Sequence, residues 1–380
     1  MKPSDVARAL VLLGITGALL LSADPRDASW GLSMTAQFLP VVSCLLATPL
    51  FFFGRRTRRP PASFGVLFFL ATWSLAGAAH SVSQGVPAIE TFLGFGVCAF
   101  SLLPLFWAFV SNPERMDDAV SRILVTGAVL MALMSILWSS GFRFVQTRNI
   151  FHEEVFIMGA GAVMAHSRGR TLAAGLALVG CLFTVKITGF MMAAIAGYMI
   201  AARWWVRRST EVGSGLLVRR LLLVYGVAAT ATLALSVSAL NSELLPHGNV
   251  PTRLYTYGVR TGEFLASPVW GSAFVGTRRI FVEAIMADIS SHSDLLDFLS
   301  FGGVLGTLML CLPIVSALRR ARMDQATEDY STLLVMFVLV MMVNPVLLQP
   351  KLTLFFWLPM ARLLGSDVVT ARTHANLQQY

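Results

Sequence analysis

Apolar runs long enough to cross a bilayer recur along nearly the whole sequence, and no other feature constrains the fold as tightly. A hydrocarbon core of about 30 Å takes roughly 20 residues of helix to cross, and every backbone amide inside it must be satisfied within the protein. Runs at 9–21, 36–53, 64–79, 88–110, 123–138, 150–165, 171–185, 190–202, 221–240, 299–318, 333–348 and 352–364 alternate with short polar links. Hydrophobic residues make up 56% of the chain and charged residues 13%, against about 25% charged in soluble domains. A transmembrane barrel would read as short segments of alternating hydrophobicity, and none is visible. The expectation is an all-α polytopic membrane protein with about twelve transmembrane helices, the short runs leaving boundaries open by several residues.

Two features at the amino terminus compete. Lys2 and Arg8 precede the run 9–21, which suits a signal peptide's apolar region or a first membrane helix. Ser22-Ala23-Asp24-Pro25 lacks a small-x-small cleavage pattern, which favours a retained helix.

The formal charge of +9 invites a nucleic-acid partner, but the placement of the basic residues argues against one. Arg55, Arg56, Arg58 and Arg59, then Arg168 and Arg170, Arg203, Arg207 and Arg208, Arg219 and Arg220, and Arg319, Arg320 and Arg322 cluster between apolar runs. That is how loops on the cytoplasmic side are marked. With the amino terminus inside and the runs alternating, 20 of the 29 Lys and Arg fall inside and 9 outside. Both termini are then cytoplasmic. The chain divides into helices 1–9 within residues 1–240, a large periplasmic loop with short helices at 241–297, and helices 10–12 with a cytoplasmic tail at 298–380. Cys44, Cys98, Cys181 and Cys311 each sit in an apolar run without CxxC spacing. They are expected as buried hydrophobes, with no disulfide, no metal site and no cofactor.

The 241–297 loop is the one long stretch that tolerates polar residues. Pro251 suits the start of a helix, in which Arg253, Tyr257, Arg260 and Phe264 share a face at i, i+4, i+7 and i+11. Two guanidiniums about 10 Å apart along that axis can converge on a pyrophosphate, which suits arginine's fixed fork of donors. The alternative is an interfacial helix where Arg260 pairs with Glu263 at i+3 and Arg253 snorkels to lipid headgroups. His292 lies just ahead of the tenth run, between Ser291 and Ser293, either of which suits a helix cap. A helix amino terminus favours the proton-free imidazole, as a general base requires, although a lone interfacial histidine is more often structural. Asp294 and Asp297 can orient that imidazole or complement the helix dipole.

Three further signals are weaker. Lys186, alone in the link between the seventh and eighth runs, is either an interfacial anchor or a substrate-phosphate cation. Phe151-His152-Glu153-Glu154 is not HExxH, since Phe156 stands where a second histidine is needed; it is a weak candidate for lining an outer cavity. Gly302, Gly303 and Gly306 permit close helix packing.

The stretch from Arg253-Leu254 through Phe264-Leu265-Ala266-Ser267-Pro268-Val269-Trp270-Gly271-Ser272-Ala273-Phe274 to Ser291-His292-Ser293-Asp294-Leu295-Leu296-Asp297-Phe298-Leu299 resembles the family of O-antigen ligases and Wzy-type oligosaccharide polymerases. It looks like that family's arginine, Pro-x-x-Gly turn and His-(Asn/Ser)-x-x-Leu motif, with Gly302, Gly303 and Gly306 continuing the match. The family's Ser-Arg-Gly before the eighth span is replaced here by Lys186-Ile187-Thr188-Gly189, and lysine cannot bind phosphate in bidentate fashion.

The resemblance implies a GT-C-like glycosyltransferase of the bacterial inner membrane. An undecaprenyl-pyrophosphate-linked donor would lie against Arg253, Arg260 and Lys186, with Tyr257 and Asp294 in support. His292 would take the proton of an acceptor hydroxyl, with inversion and without metal. The implied partners are that donor, a glycan acceptor, the lipid bilayer and other polysaccharide assembly and export proteins. His292-Ser293 and the missing Ser-Arg-Gly favour a polymerase over a ligase that would transfer to the lipid A core. A transporter or flippase is the alternative from another class, although no internal repeat is visible.

Overall fold

The structure, a computed structural model, describes residues 2–23, 34–53, 59–86, 89–142, 151, 154–184, 187–208, 249–277, 279–283, 286–321, 325–342 and 344–377. Over these residues the chain forms thirteen helices and one two-stranded hairpin. The helices are α1 (Pro3–Ala23), α2 (Met34–Phe53), α3 (Ala62–Ser83), α4 (Ile89–Phe100), α5 (Leu102–Ser111), α6 (Pro113–Ser139), α7 (Val155–Ser167), α8 (Thr171–Phe183), α9 (Ile187–Arg208), α10 (Asn249–Ala266), α11 (Asp294–Arg319), α12 (Gln325–Met341) and α13 (Pro350–Leu377). Among the described residues six stretches are long and apolar enough to cross a membrane: α1, Ala36–Phe53 of α2, α3, Gly94–Ser111 of α4 and α5, α6, and α11. The molecule is an all-α membrane protein. The run 221–240 and Lys186 lie outside the described residues.

Burial follows from which helices are apolar all round. Helix α7 is buried along almost its full length, as is α13 from Leu352 to Leu364, so these two form the bundle's centre. Helix α11 is two-faced: Leu296, Phe298, Phe301, Gly306 and Leu310 are buried, whereas Val304, Leu308, Leu312 and Val315 form an exposed apolar stripe. That stripe is where lipid chains belong.

Ion pairs tie the helix ends together in two groups. Asp117 at the start of α6 receives Arg362 Nε at 2.9 and 3.1 Å. Nearby, Arg203 at the end of α9 meets Glu328 at 3.1 Å and Asp329 at 2.6 Å, while Ser167 at the end of α7 bonds Asp329 at 2.9 Å. At the other end of α7, Glu154 pairs with Lys351. Helix α7 therefore runs from one polar group to the other, and α13 joins the two through Lys351 in its first turn and Arg362 in its middle.

Four elements depart from expectation. The mixed-charge stretch 111–122, expected as a loop, is mostly the start of α6. Asn112 accepts a bond from the Arg115 amide at 3.2 Å, Pro113 occupies the first turn where no amide donor is needed, and Asp118 pairs with Arg122 one turn on. The run 333–348 does not continue as one helix: α12 ends at Met341, and the amides of Val346 and Leu347 donate to Asp294 Oδ2 at 2.5 and 2.6 Å. A buried carboxylate thus replaces the helical acceptors those amides would otherwise use. Among its described residues the loop holds one helix of 18 residues, α10, and an antiparallel hairpin, β1 (Arg279–Val282) with β2 (Ala287–Ser290), that the sequence had not suggested.

Helix α11 is the fourth. Its backbone leaves the helical region at Gly303, with φ 60° and ψ −160°, and the Pro268–Phe274 turn fills the break. Val304 and Leu305 donate to the carbonyls of Pro268 and Val269 at 2.9 and 3.2 Å. In return Ser272 and Phe274 donate to the carbonyls of Ser300 and Phe301 at 3.0 and 2.9 Å. Gly303 and Gly271 meet back to back, and a Cβ on either would overlap the other's backbone. Irregular backbone at membrane depth persists only where protein satisfies it in this way.

Candidate functional site

The site begins with α10, whose residues Thr256, Tyr257, Arg260 and Thr261 are buried. This face packs on the amino-terminal end of α11. Thr256 Oγ1 donates to the Arg253 carbonyl at 2.9 Å within α10 and lies 3.4 Å from the Ser291 carbonyl, which sets this helix face against the His292 corner.

Ser293 is the cap of α11, its hydroxyl accepting from the Leu296 amide at 3.3 Å. His292 precedes it with φ 57°, a left-handed conformation uncommon outside glycine. Ser291 stabilises that corner, its hydroxyl accepting from the Ser293 amide and donating to the Ser293 carbonyl, both at 3.2 Å. His292 itself is half-buried at this corner.

Arg260 has a saturated environment. With 2% of its side chain exposed, it donates from Nε to Asp297 at 2.9 Å, from Nη1 to Glu263 at 2.7 Å and from Nη2 to the Thr277 carbonyl at 2.7 Å. Its Cζ sits 4.6 Å from the centre of the Phe301 ring. Glu263 also receives the Ser300 hydroxyl. The i+3 pairing with Glu263 that belongs to the interfacial-helix alternative is present, and Arg260 also pins α10 to α11. Arg253 is half-buried one turn before Tyr257. Burial pushes the Tyr257 phenol above its ordinary value of 10.0, the Arg253 guanidinium beside it pulls the other way, and Asp297 adds a further upward push.

The structure therefore brings Arg253, Tyr257, Arg260 and Asp297 into one cluster beside His292. Asp294, expected as a support, is bound to the Val346 and Leu347 amides and so ties this corner to the bundle. His152 and Glu153 lie outside the described residues, and Glu154 is the partner of Lys351.

A feature missed in the sequence adjoins the cluster: an open cavity of about 620 Å3 between α10, the hairpin and α11. Arg260, Glu263, Ser300 and Phe301 form its inner wall, while Arg253 and His292 are not among its lining residues. Glu263 at three residues past Arg260 was the available signal, but no local pattern brings Ser300 or the hairpin beside it. The sequence matches no protein-family model and no curated protein.

Proposed function

We propose that this chain is a glycan polymerase of the Wzy type, working at the outer face of the bacterial inner membrane. The observation that carries the proposal is the packing of the Arg253–Tyr257–Arg260 face on the His292–Asp297 corner, which joins residues some 40 positions apart that the family resemblance had named separately. A donor with its isoprenoid in the outer leaflet would set its pyrophosphate against Arg253, with Lys186 as a second cation. Arg260, held by Asp297 and Glu263, positions the helix. His292 would take the proton of an acceptor hydroxyl as that oxygen bonds to the anomeric carbon. The bond from that carbon to the phosphate oxygen breaks, and the lipid pyrophosphate leaves with the electron pair, its growing charge offset by arginine.

The same proposal fixes a topology of about twelve spans, both termini inside, with 241–297 as an outer loop between nine spans and three. Alternation puts Asp117, Ser167, Arg203, Glu328, Asp329 and Arg362 on one side and Glu154, Lys351, Arg260, Asp294 and Asp297 on the other. The ion pairs respect that division. A transporter has one observation in its favour, the broken helix at Gly303, because such breaks frame many transport sites. Here the half-helix ends bond to the loop backbone, so they present no open dipole to a substrate.

The test is glycan gel profiling of a host lacking this gene, complemented with wild type, Arg253→Ala or His292→Ala. Loss of long chains, with a single repeat still reaching its final acceptor, supports a polymerase. Loss of all attached glycan with long lipid-linked chains accumulating makes the protein a ligase. Full rescue by both variants removes the site, and ion-coupled uptake by purified protein in liposomes supports transport.

A further inference from the structure

The cavity beside Arg260 has the size of a small-ligand cleft, about 620 Å3, within the roughly 300–1,000 Å3 usual for such sites. Its charges nearly cancel. Arg260 and Arg279 contribute two positive charges, Glu263 lines the same cavity and pairs with Arg260, and Asp297 neutralises Arg260 as well. A pyrophosphate entering this space would face the Glu263 carboxylate, a like charge, so the cavity suits an uncharged ligand. Its polar wall is rich in hydroxyls, with Ser267, Ser272, Thr277 and Ser300 present, and its remainder is aliphatic or aromatic, including Phe281 and Phe301. Hydroxyls and a carboxylate set beside apolar faces match a sugar ring, which presents hydroxyls at its edge and C–H groups on its faces. Glu263 is suited to such a contact: Oε2 holds Arg260 and Ser300, and Oε1 remains an acceptor on a side chain that is half exposed.

We propose that this cavity binds a neutral saccharide, the sugar portion of the acceptor, and that Glu263 is its specificity-determining residue. This rests on the glycan-transfer reading above and adds the subsite to it. Arg260 belongs both to the cavity wall and to the α10 face that carries Arg253 and Tyr257, which sets the subsite against the side of α10 that the transfer reading uses.

The experiment places p-benzoylphenylalanine at Phe281 of the full chain in the host that makes the glycan, with Leu172, exposed on α8, as the control position. After irradiation the purified protein is digested and its adducts analysed for sugar. The expected result is a sugar-bearing adduct of one repeat unit at 281 and none at 172, falling about tenfold in Glu263→Gln, the change expected for weakening one charged hydrogen-bond acceptor. Val275→Phe, which fills the cavity without altering a polar group, should reduce the adduct and shorten the glycan independently of Glu263. A ladder of long chains in the adduct would assign the cavity to the donor's glycan, and adducts of lipid alone would make it a lipid port; either overturns the proposal. If Arg253→Ala and His292→Ala abolish polymer while Glu263→Gln and Val275→Phe keep both adduct and chain length, the cavity assignment fails and the transfer reading stands. If the first pair also leave the polymer intact, the transfer reading itself fails.

Discussion

Arg260 and Asp297 form a fully buried pair, and losing Arg260 strands the Asp297 charge, whereas losing Asp297 leaves Arg260 its Glu263 partner. Removing one member of such a pair costs about 3–5 kcal/mol, whereas removing both is far milder. Arg260→Ala should therefore lower the unfolding temperature of the detergent-solubilised protein sharply, and Arg260→Met/Asp297→Leu should recover most of the loss; equal loss in single and double variants would show the pair to be unimportant. Arg260→Lys should not recover it, because one ammonium cannot span Asp297, Glu263 and the Thr277 carbonyl together. Tyr257 gives a pH-dependent counterpart. Its folded pKa lies above the ordinary 10.0, so the folded chain keeps that proton where the unfolded chain loses it. Stability from this group is intact below pH 10 and declines as pH rises further. Thermal unfolding measured on both sides of pH 10 should show a decline that Tyr257→Phe reduces, and an unchanged slope in that variant would count against the assignment. The Arg260–Glu263 contact could be read from its i+3 spacing. The Asp297 contact could not, because an acidic residue in a first helical turn already has a sufficient local explanation in the helix dipole.

At the scale of elements, α11 and the 267–274 turn act as one unit. The glycines at 271 and 303 both have positive φ and share a contact with no room for a Cβ. Gly303→Ala or Gly271→Ala should therefore disrupt the interlock, with a cost of several kcal/mol from combined strain and overlap, read as loss of folded protein by size-exclusion chromatography. Gly197→Ala, where an added Cβ meets nothing within 4 Å, should be tolerated, and equal damage at all three would refute the interlock. The cap offers a milder probe: Ser293→Ala should cost about 1 kcal/mol and displace the left-handed His292 beside it, so activity should fall more than stability does. The glycines were visible in the sequence, but the break was not. An apolar run from 299 to 318 with no proline before Pro313 reads as continuous helix, and only the returning loop, some 30 residues earlier in the chain, supplies the acceptors that make an interruption tolerable.

Over the whole molecule, apolar periodicity made the helical class and most of the helices legible, because bilayer thickness imposes length on each run. It was less informative where a helix is short and central, as α7 is, or where polar residues extend a helix past its apolar run, as at the start of α6. The pairing of helix ends supplies what hydropathy lacks, a test of parity. Glu154 and Ser167 bound one helix and join the two different polar groups, while Lys351 in the first turn of α13 and Arg362 in its middle join the same two groups. On the proposed topology, which counts the run 221–240 as a single crossing, α10 and the hairpin share the side of Lys351, opposite Asp117. Single cysteines in a background lacking the four native ones can check this in intact cells with a membrane-impermeant maleimide. Phe142→Cys and Met286→Cys, both highly exposed, should label from outside, and Leu172→Cys only after the membrane is opened. Labelling of Leu172→Cys from outside together with Phe142→Cys would place both ends of the α6–α8 unit on one face and overturn the proposed topology. Labelling of Leu172→Cys alone would invert the molecule, setting His292 and Arg253 in the cytoplasm, where a donor carried in the outer leaflet could not reach them.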